Sequence, residues 1–315
     1  MKFSRAAFAQ LLAVAVLIIS SRAAFGARAY AIVDSQSGYV VAEQDGKAKR
    51  QVGSLTKVAT AMVVLDWADA KHGDLNQVVS IPPEALVGTG ENNIGFQAGD
   101  MITLRDLLYA ALVQSDNVAA YTLAFHVGTI LPEALGVPPV AKGGPVAFFV
   151  GQMNALAKQL KMERTRFLNP HGIDDKVSPF STALDLARLT RYAMNKPAFR
   201  FYVSQRERQI SFTSGGKKRG YMLRNTNELL GQNGVDGVKT GRTAKAGDCL
   251  ILSSHRESEI RKEGNMTYVT PRHLIVVVLG SNDRFGEGAG LLARGWQLYD
   301  QWAAAGRPAQ PSKTL

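Results

Sequence analysis

Gly53-Ser54-Leu55-Thr56-Lys57 runs without a break into Val58-Ala59-Thr60-Ala61-Met62-Val63-Val64-Leu65. The second block is apolar on every helical face, so the segment predicts a buried helix with a polar first turn. A helix beginning at Ser54 brings Lys57 onto the same face one turn later, where a hydroxyl and an amine can point into one cleft. The same pattern suits a plain serine N-cap, because serine is a preferred cap. The surrounding chain decides between a cap and a nucleophile with its own base.

Upstream, two short β-rich runs, Ala29 to Asp34 and Tyr39 to Glu43, flank Ser35-Gln36-Ser37-Gly38 and predict a hairpin. Downstream, the Pro-, Gly- and Asn-rich stretch from Asp74 to Gly99 predicts loops and short strands. Thr103-Leu104-Arg105-Asp106 has the form of a capping box for a helix ending near Gln114. A second helical pattern resumes at Val118, which places Ser115-Asp116-Asn117 in a tight turn between two helices. Leu131 to Pro145 carries four prolines and three glycines and predicts a surface loop. Helices are expected from Val146 to Leu160, and from a second capping box at Thr182 through Met194. After Phe199 the pattern turns to strands: Gln209 to Thr213, Lys218 to Leu223, Val235 to Gly241, Gly247 to Ser253 and Leu274 to Gly280. The charged piece from His255 to Arg272 reads as a long hairpin loop, Phe285 to Ala304 as a closing helix, and 305–315 as a frayed, disordered tail.

Strands at both ends with helices between them predict an α+β fold. One antiparallel sheet is made by both ends of the chain (about 27–50 and 200–304), and a helical subdomain (about 54–199) is inserted, with the cleft where the two meet. Lys2 and Arg5 ahead of the apolar run Ala6 to Ile19 predict a secretory signal over 1–26, with cleavage at Ala24-Phe25-Gly26 or Ala27-Arg28-Ala29. An uncleaved anchor is the alternative, and would be the only membrane contact. Cys249 is the only cysteine, so neither a disulfide framework nor a Cys-held metal is expected. The five histidines are scattered, without the helical pair that zinc peptidases use, and no cofactor is expected. Removing Lys2, Arg5 and Arg22 takes the formal charge from +11 to +8. That balance suits anionic envelope polymers or peptide carboxylates. No Lys/Arg run with interleaved aromatics points to nucleic acid.

Three motifs fall in order: Ser54-Leu55-Thr56-Lys57 at a helix start, Ser115-Asp116-Asn117 in an inter-helix turn, and Lys239-Thr240-Gly241 on a strand. With Gln97 to Asp100, Phe167 to Gly172, Ser181 to Ala183, Arg224 to Asn227 and Val235 to Val238, they make the chain from about Ala29 to Trp302 resemble a known family. It resembles the low-molecular-weight penicillin-binding proteins, the serine-type D-alanyl-D-alanine carboxypeptidases, with a β-lactamase/transpeptidase-like fold. The chain is expected to be a compact member, without the extra β domain and C-terminal anchor of the larger ones.

The resemblance implies an exported enzyme of the periplasm or cell envelope that removes the terminal D-alanine from peptidoglycan stem peptides and is covalently inhibited by β-lactams. Ser54 is the implied nucleophile, and Lys57 its base, kept neutral by the charge of Lys239 and by partial burial. Ser115 relays a proton to the leaving amine, Asn117 holds Lys57 and meets the substrate amide, and Asp116 points away. Substrate lies beside the strand at Lys239, Thr240 and Gly241, and the N–H groups of Ser54 and Arg242 form the oxyanion hole. Lys239, Thr240 and Arg224 gather the terminal carboxylate. Arg242 departs from the family, which often has an aromatic residue or His there. His171 reads as a structural histidine. Three alternatives stay open: a D,D-endopeptidase cutting cross-links, a non-catalytic peptidoglycan-binding module, and a serine β-lactamase. The last normally adds a Glu-x-x-Leu-Asn stretch that is not found here.

Overall fold

The computed structural model describes residues 26–136, 143–174 and 177–315. The expected signal segment lies outside them except for Gly26, as do residues 137–142 of the expected proline-rich loop. In chain order the elements are β1 (Ala29–Asp34), β2 (Val40–Gln44), α1 (Lys57–Lys71), β3 (Val78–Ser80), β4 (Met101–Thr103), α2 (Leu104–Val113), α3 (Asn117–Ala134) and α4 (Gly144–Gln159). Then come α5 (Ala183–Met194), α6 (Pro197–Val203), β5 (Glu207–Ser214), β6 (Lys217–Arg224), β7 (Val235–Thr243), β8 (Gly247–Glu263), β9 (Met266–Ser281) and α7 (Arg284–Ala304).

The antiparallel sheet built from both chain ends is present, with five strands in the order β2-β1-β9-β8-β7. At its centre the runs Ala29–Val33, Cys249–Leu252 and Leu274–Leu279 are apolar without a break because both faces are covered there. Tyr30, Ile32, Leu250, Leu252, Leu274, Val276 and Val278 pack on Leu291, Leu292, Trp296 and Tyr299 of α7. The alternate residues, among them Ala29, Ala31, Val33, Ile251, Ile275 and Val277, face the helical region. At the centre of that region α1 is buried from Val58 to Leu65, which is why its sequence has no polar stripe. Thr103 and Thr182 cap α2 and α5, each accepting an N–H three residues on, from Asp106 and Asp185.

Five expectations are corrected. The strands do not form a single sheet: β5 and β6 join β3 and β4 in a separate four-stranded sheet, ordered β3-β4-β5-β6, on the helical region. Residues 255–272 are strand, because β8 and β9 stay paired as far as Glu263 and Met266. Their exposed polar residues conceal a ladder held by backbone bonds. The helix α3 runs through Pro132 to Ala134, although proline there removes the N–H that would bond the Gly128 carbonyl. The 305–315 tail is docked: Thr314 bridges to Tyr39, and the Leu315 N–H donates to Gly38 O at 3.0 Å. Trp302 of α7 stacks on Tyr39 with ring centres 4.4 Å apart, beside the point where the tail meets the residues leading into β2. The short helix α6 lies where strands alone were expected.

Candidate active site

Ser54 lies in a 3₁₀ turn, Gly53–Thr56, that leads directly into α1 at Lys57. With three residues per turn, side chains three apart eclipse one another, so Lys57 stands over Ser54 more directly than an α-helix would place it. Lys57 Nζ is 2.8 Å from Ser54 Oγ. It is also 2.6 Å from Asn117 Oδ1, on α3, and 3.0 Å from the His171 carbonyl oxygen. The last two can only accept, so a neutral amine spends both N–H bonds on them and turns its lone pair to the Ser54 hydroxyl. Once protonated, the amine donates to all three. Asn117 is itself held, donating from Nδ2 to Thr89 O at 2.7 Å.

Lys57 is fully buried, and that burial drives its amine down from 10.5 to about 7, against the opposing pull of Asp116. The expected cause, repulsion from Lys239, is corrected: desolvation dominates, and burial is complete rather than partial. The repulsion is felt by Lys239, which lies well below its usual range through burial first, then Lys57 and Arg284. Asp116 caps α3 at the Ala119 N–H, 2.7 Å away, so its carboxylate is turned from the Ser54 hydroxyl, and burial raises it to about 6.

Ser115 occupies the turn between α2 and α3 with φ 67°, a left-handed conformation that a non-glycine residue adopts at a cost. Lys239 is buried on β7 and donates to Thr240 O at 3.0 Å, while the Thr240 and Thr226 hydroxyls are 2.6 Å apart. Gly241 packs against the turn of Ser54, where a Cβ would come within 2.7 Å of Val52 O. A Cβ on Gly53 would lie 3.1 Å from Arg242 N, so the backbones that carry the Ser54 and Arg242 N–H groups touch. The structure therefore brings together Ser54, Lys57, Asn117, Lys239 and Gly241, with Thr240 next to Lys239 on β7 and Ser115 in the turn two residues before Asn117. It does not draw in the side chains of Arg242 and Arg224. These are 77% and 81% exposed and pair with Asp248 at 3.4 Å and Glu207 at 3.5 Å.

The loop from Asn169 to Ile173 contributes what side-chain chemistry alone did not reveal. Asn169 Oδ1 accepts the Gly172 N–H at 2.6 Å, and Thr60 donates to Pro170 O at 2.6 Å, which sets the His171 carbonyl on Lys57. The His171 ring is structural, as expected: its Nδ1 accepts the Ile173 N–H at 3.2 Å, and burial, then Lys57, lowers its pKa to about 3. Thr226, in the Arg224 to Asn227 stretch, is a further contact of Thr240 that its residue type alone does not signal.

A five-stranded sheet, a helical region and a serine–lysine pair at their junction define the penicillin-binding protein/β-lactamase-like class. The chain belongs to the D-alanyl-D-alanine carboxypeptidase family, whose sequence profile matches residues 18–262. It is 31% identical over 284 residues to the D-alanyl-D-alanine carboxypeptidase DacC of Escherichia coli, covering 87% of this chain and 62% of that one. To a D-alanyl-D-alanine endopeptidase of Pseudomonas aeruginosa it is 32% identical, over 70% of this chain and 64% of the relative. The chain thus spans less than two thirds of the length of these relatives. The crystal structure of the Streptomyces K15 DD-transpeptidase superposes with a TM-score of 0.73 at 26% identity, covering 87% of this chain and 98% of that one. Penicillin-binding protein D2 of Listeria monocytogenes, bound to cefotaxime, gives a TM-score of 0.65 at 27% identity, over 86% and 98% of the two chains.

Proposed function

We propose that this chain is a serine acyl-enzyme peptidase that removes the terminal D-alanine from peptidoglycan stem peptides. The observation that carries this reading is the buried Lys57 amine, fixed by two carbonyl oxygens with its lone pair on Ser54 Oγ at 2.8 Å. A hydroxyl needs such a base to act as a nucleophile near neutral pH. Ser54 Oγ attacks the carbonyl of the last peptide bond as its proton passes to Lys57, and the oxyanion meets the N–H groups of Ser54 and Arg242. Collapse breaks the C–N bond. The proton returns from Lys57, relayed by Ser115, to the departing D-alanine amine, and water then hydrolyses the ester. Asn117 keeps one amide N–H for the substrate backbone. A terminal carboxylate beside Lys239 and Thr240 favours the charged lysine, opposing the burial that lowers its pKa.

The family relationship and the cefotaxime-bound neighbour support β-lactams as covalent inhibitors. Export to the cell envelope is part of the same reading, with 1–26 as the signal and 27–304 as one catalytic domain. Cleavage before Ala27 suits the fold, because Ala27 is buried and β1 begins at Ala29. The endopeptidase relative supports a second reading, cleavage of cross-links by the same residues.

Labelled penicillin is expected to form a covalent adduct on the wild-type protein that Ser54→Ala abolishes; an unlabelled wild type would overturn the peptidase reading. Purified muropeptides separate the two reactions. Release of free D-alanine faster than dimer cleavage is expected, and the reverse order would make the protein an endopeptidase.

A further inference from the structure

The β5–β6 hairpin carries charge out of proportion to its size. Between Glu207 and Arg224, five cations (Arg208, Lys217, Lys218, Arg219, Arg224) stand against one carboxylate, Glu207, a net +4 of the +11 on the whole sequence. Arg208 lies over the Tyr109 ring at 4.5 Å, and Arg224 reaches Glu207. Lys217, Lys218 and Arg219 are exposed at the tip and, among the described residues, pair with no acid.

This charge is connected to the site. The strand β6 forms one edge of its sheet, and its end abuts the turn of Ser115. Gln114, the residue before Ser115, donates from Nε2 to the Tyr221 hydroxyl at 2.9 Å and accepts the Arg224 N–H on Oε1 at 3.3 Å. From there the strand runs back to the hairpin tip at Lys217. Lys218, Gly220, Met222 and Arg224 are exposed on its outer face, while Leu223 is buried. At about 3.3 Å per residue, Lys218 and Arg224 stand roughly 20 Å apart.

We propose that this edge docks the anionic polymer that carries the substrate, peptidoglycan, through the carboxylates of stem peptides next to the one being cleaved. The proposal rests on the peptidase reading above. One stem enters the cleft, and its neighbours on the same strand keep their terminal carboxylates outside it. A single exposed ion pair contributes little, but a multivalent anion meets several cations at once. Clustered charge also raises the encounter rate with an oppositely charged partner. A short soluble peptide gains neither advantage.

The test is the combined variant Lys217→Gln, Lys218→Gln, Arg219→Gln, whose side chains are all exposed. Penicillin uptake and D-alanine release from a short soluble peptide should match wild type. Pelleting with purified sacculi, and D-alanine release from them, should fall by about tenfold or more. Wild-type pelleting should weaken as salt rises and vanish on sacculi whose carboxylates have been amidated. A variant that pellets as wild type does, an equal loss on the soluble peptide, or undiminished pelleting with amidated sacculi would each overturn the proposal. A wild type that takes up no penicillin would remove the peptidase reading, while pelleting still decides the docking surface.

Discussion

Lys57 pairs complete burial with an amine poised near neutrality, and two expectations follow. Penicillin uptake should rise with pH as the amine loses its proton, with an inflection near its pKa of about 7, and then level off. Rapid-mixing acylation over a pH series measures this, and an inflection near 10 would mean that the amine is solvated. In stability terms, the folded chain holds fewer protons at Lys57 than the unfolded chain between about 7 and 10.5. This residue's contribution therefore rises with pH across that window and is a cost of roughly 5 kcal/mol below it. Lys57→Met removes that cost but leaves the Asn117 and His171 oxygens unpaired, at about 1–3 kcal/mol each. The two effects nearly cancel, so the variant should keep its Tm within a few degrees while losing penicillin uptake. A collapse in Tm would show that the amine stabilises the fold.

At the scale of elements, Ser54, the proposed nucleophile, is held by the contact of two turns. Gly172 has φ +86°, and a Cβ there would lie 1.9 Å from Gly53 O and 2.8 Å from Thr56 Oγ1. Alanine at 172 must push the 3₁₀ turn away from the loop that carries the His171 carbonyl. Displacing a reacting group by about 1 Å costs about 10²-fold in rate. Gly172→Ala should lower penicillin uptake by that order and reduce Tm, while wild-type uptake by the variant would mean that the turn is not held there. The Asn169 side chain fixes the same loop by accepting the His171 and Gly172 N–H groups, so the stretch from Phe167 to Gly172 serves the site through backbone atoms.

Across the whole molecule, the chain's own C-terminus is tied to Gly38 and Tyr39, the residues that lead into the edge strand β2. Removing 307–315 takes away the Thr314 bridge to Tyr39, the Leu315 bond and the Trp302 Nε1 bond to Pro308 O at 3.2 Å. Tm should fall by about 2–4 °C for each kcal/mol lost, with penicillin uptake retained and self-association increased through the edge strand β2. An unchanged Tm would show that the tail contributes nothing to the fold.

The sequence alone determined the apolar helix after Ser54, the threonine caps at 103 and 182, the strands at both chain ends and the order of the three motifs. Each depends on local periodicity or a short-range bond, which residue types record directly. The resemblance already put Asn117 on Lys57, and only the tertiary structure decided that the His171 carbonyl, 114 positions away, completes the shell. The separation of β5 and β6 into a second sheet was hidden because alternation reports which face is buried and says nothing of which edge pairs with which. The pKa of Lys57 was hidden for a related reason: desolvation belongs to everything packed around the amine, and that surrounding comes from distant parts of the chain.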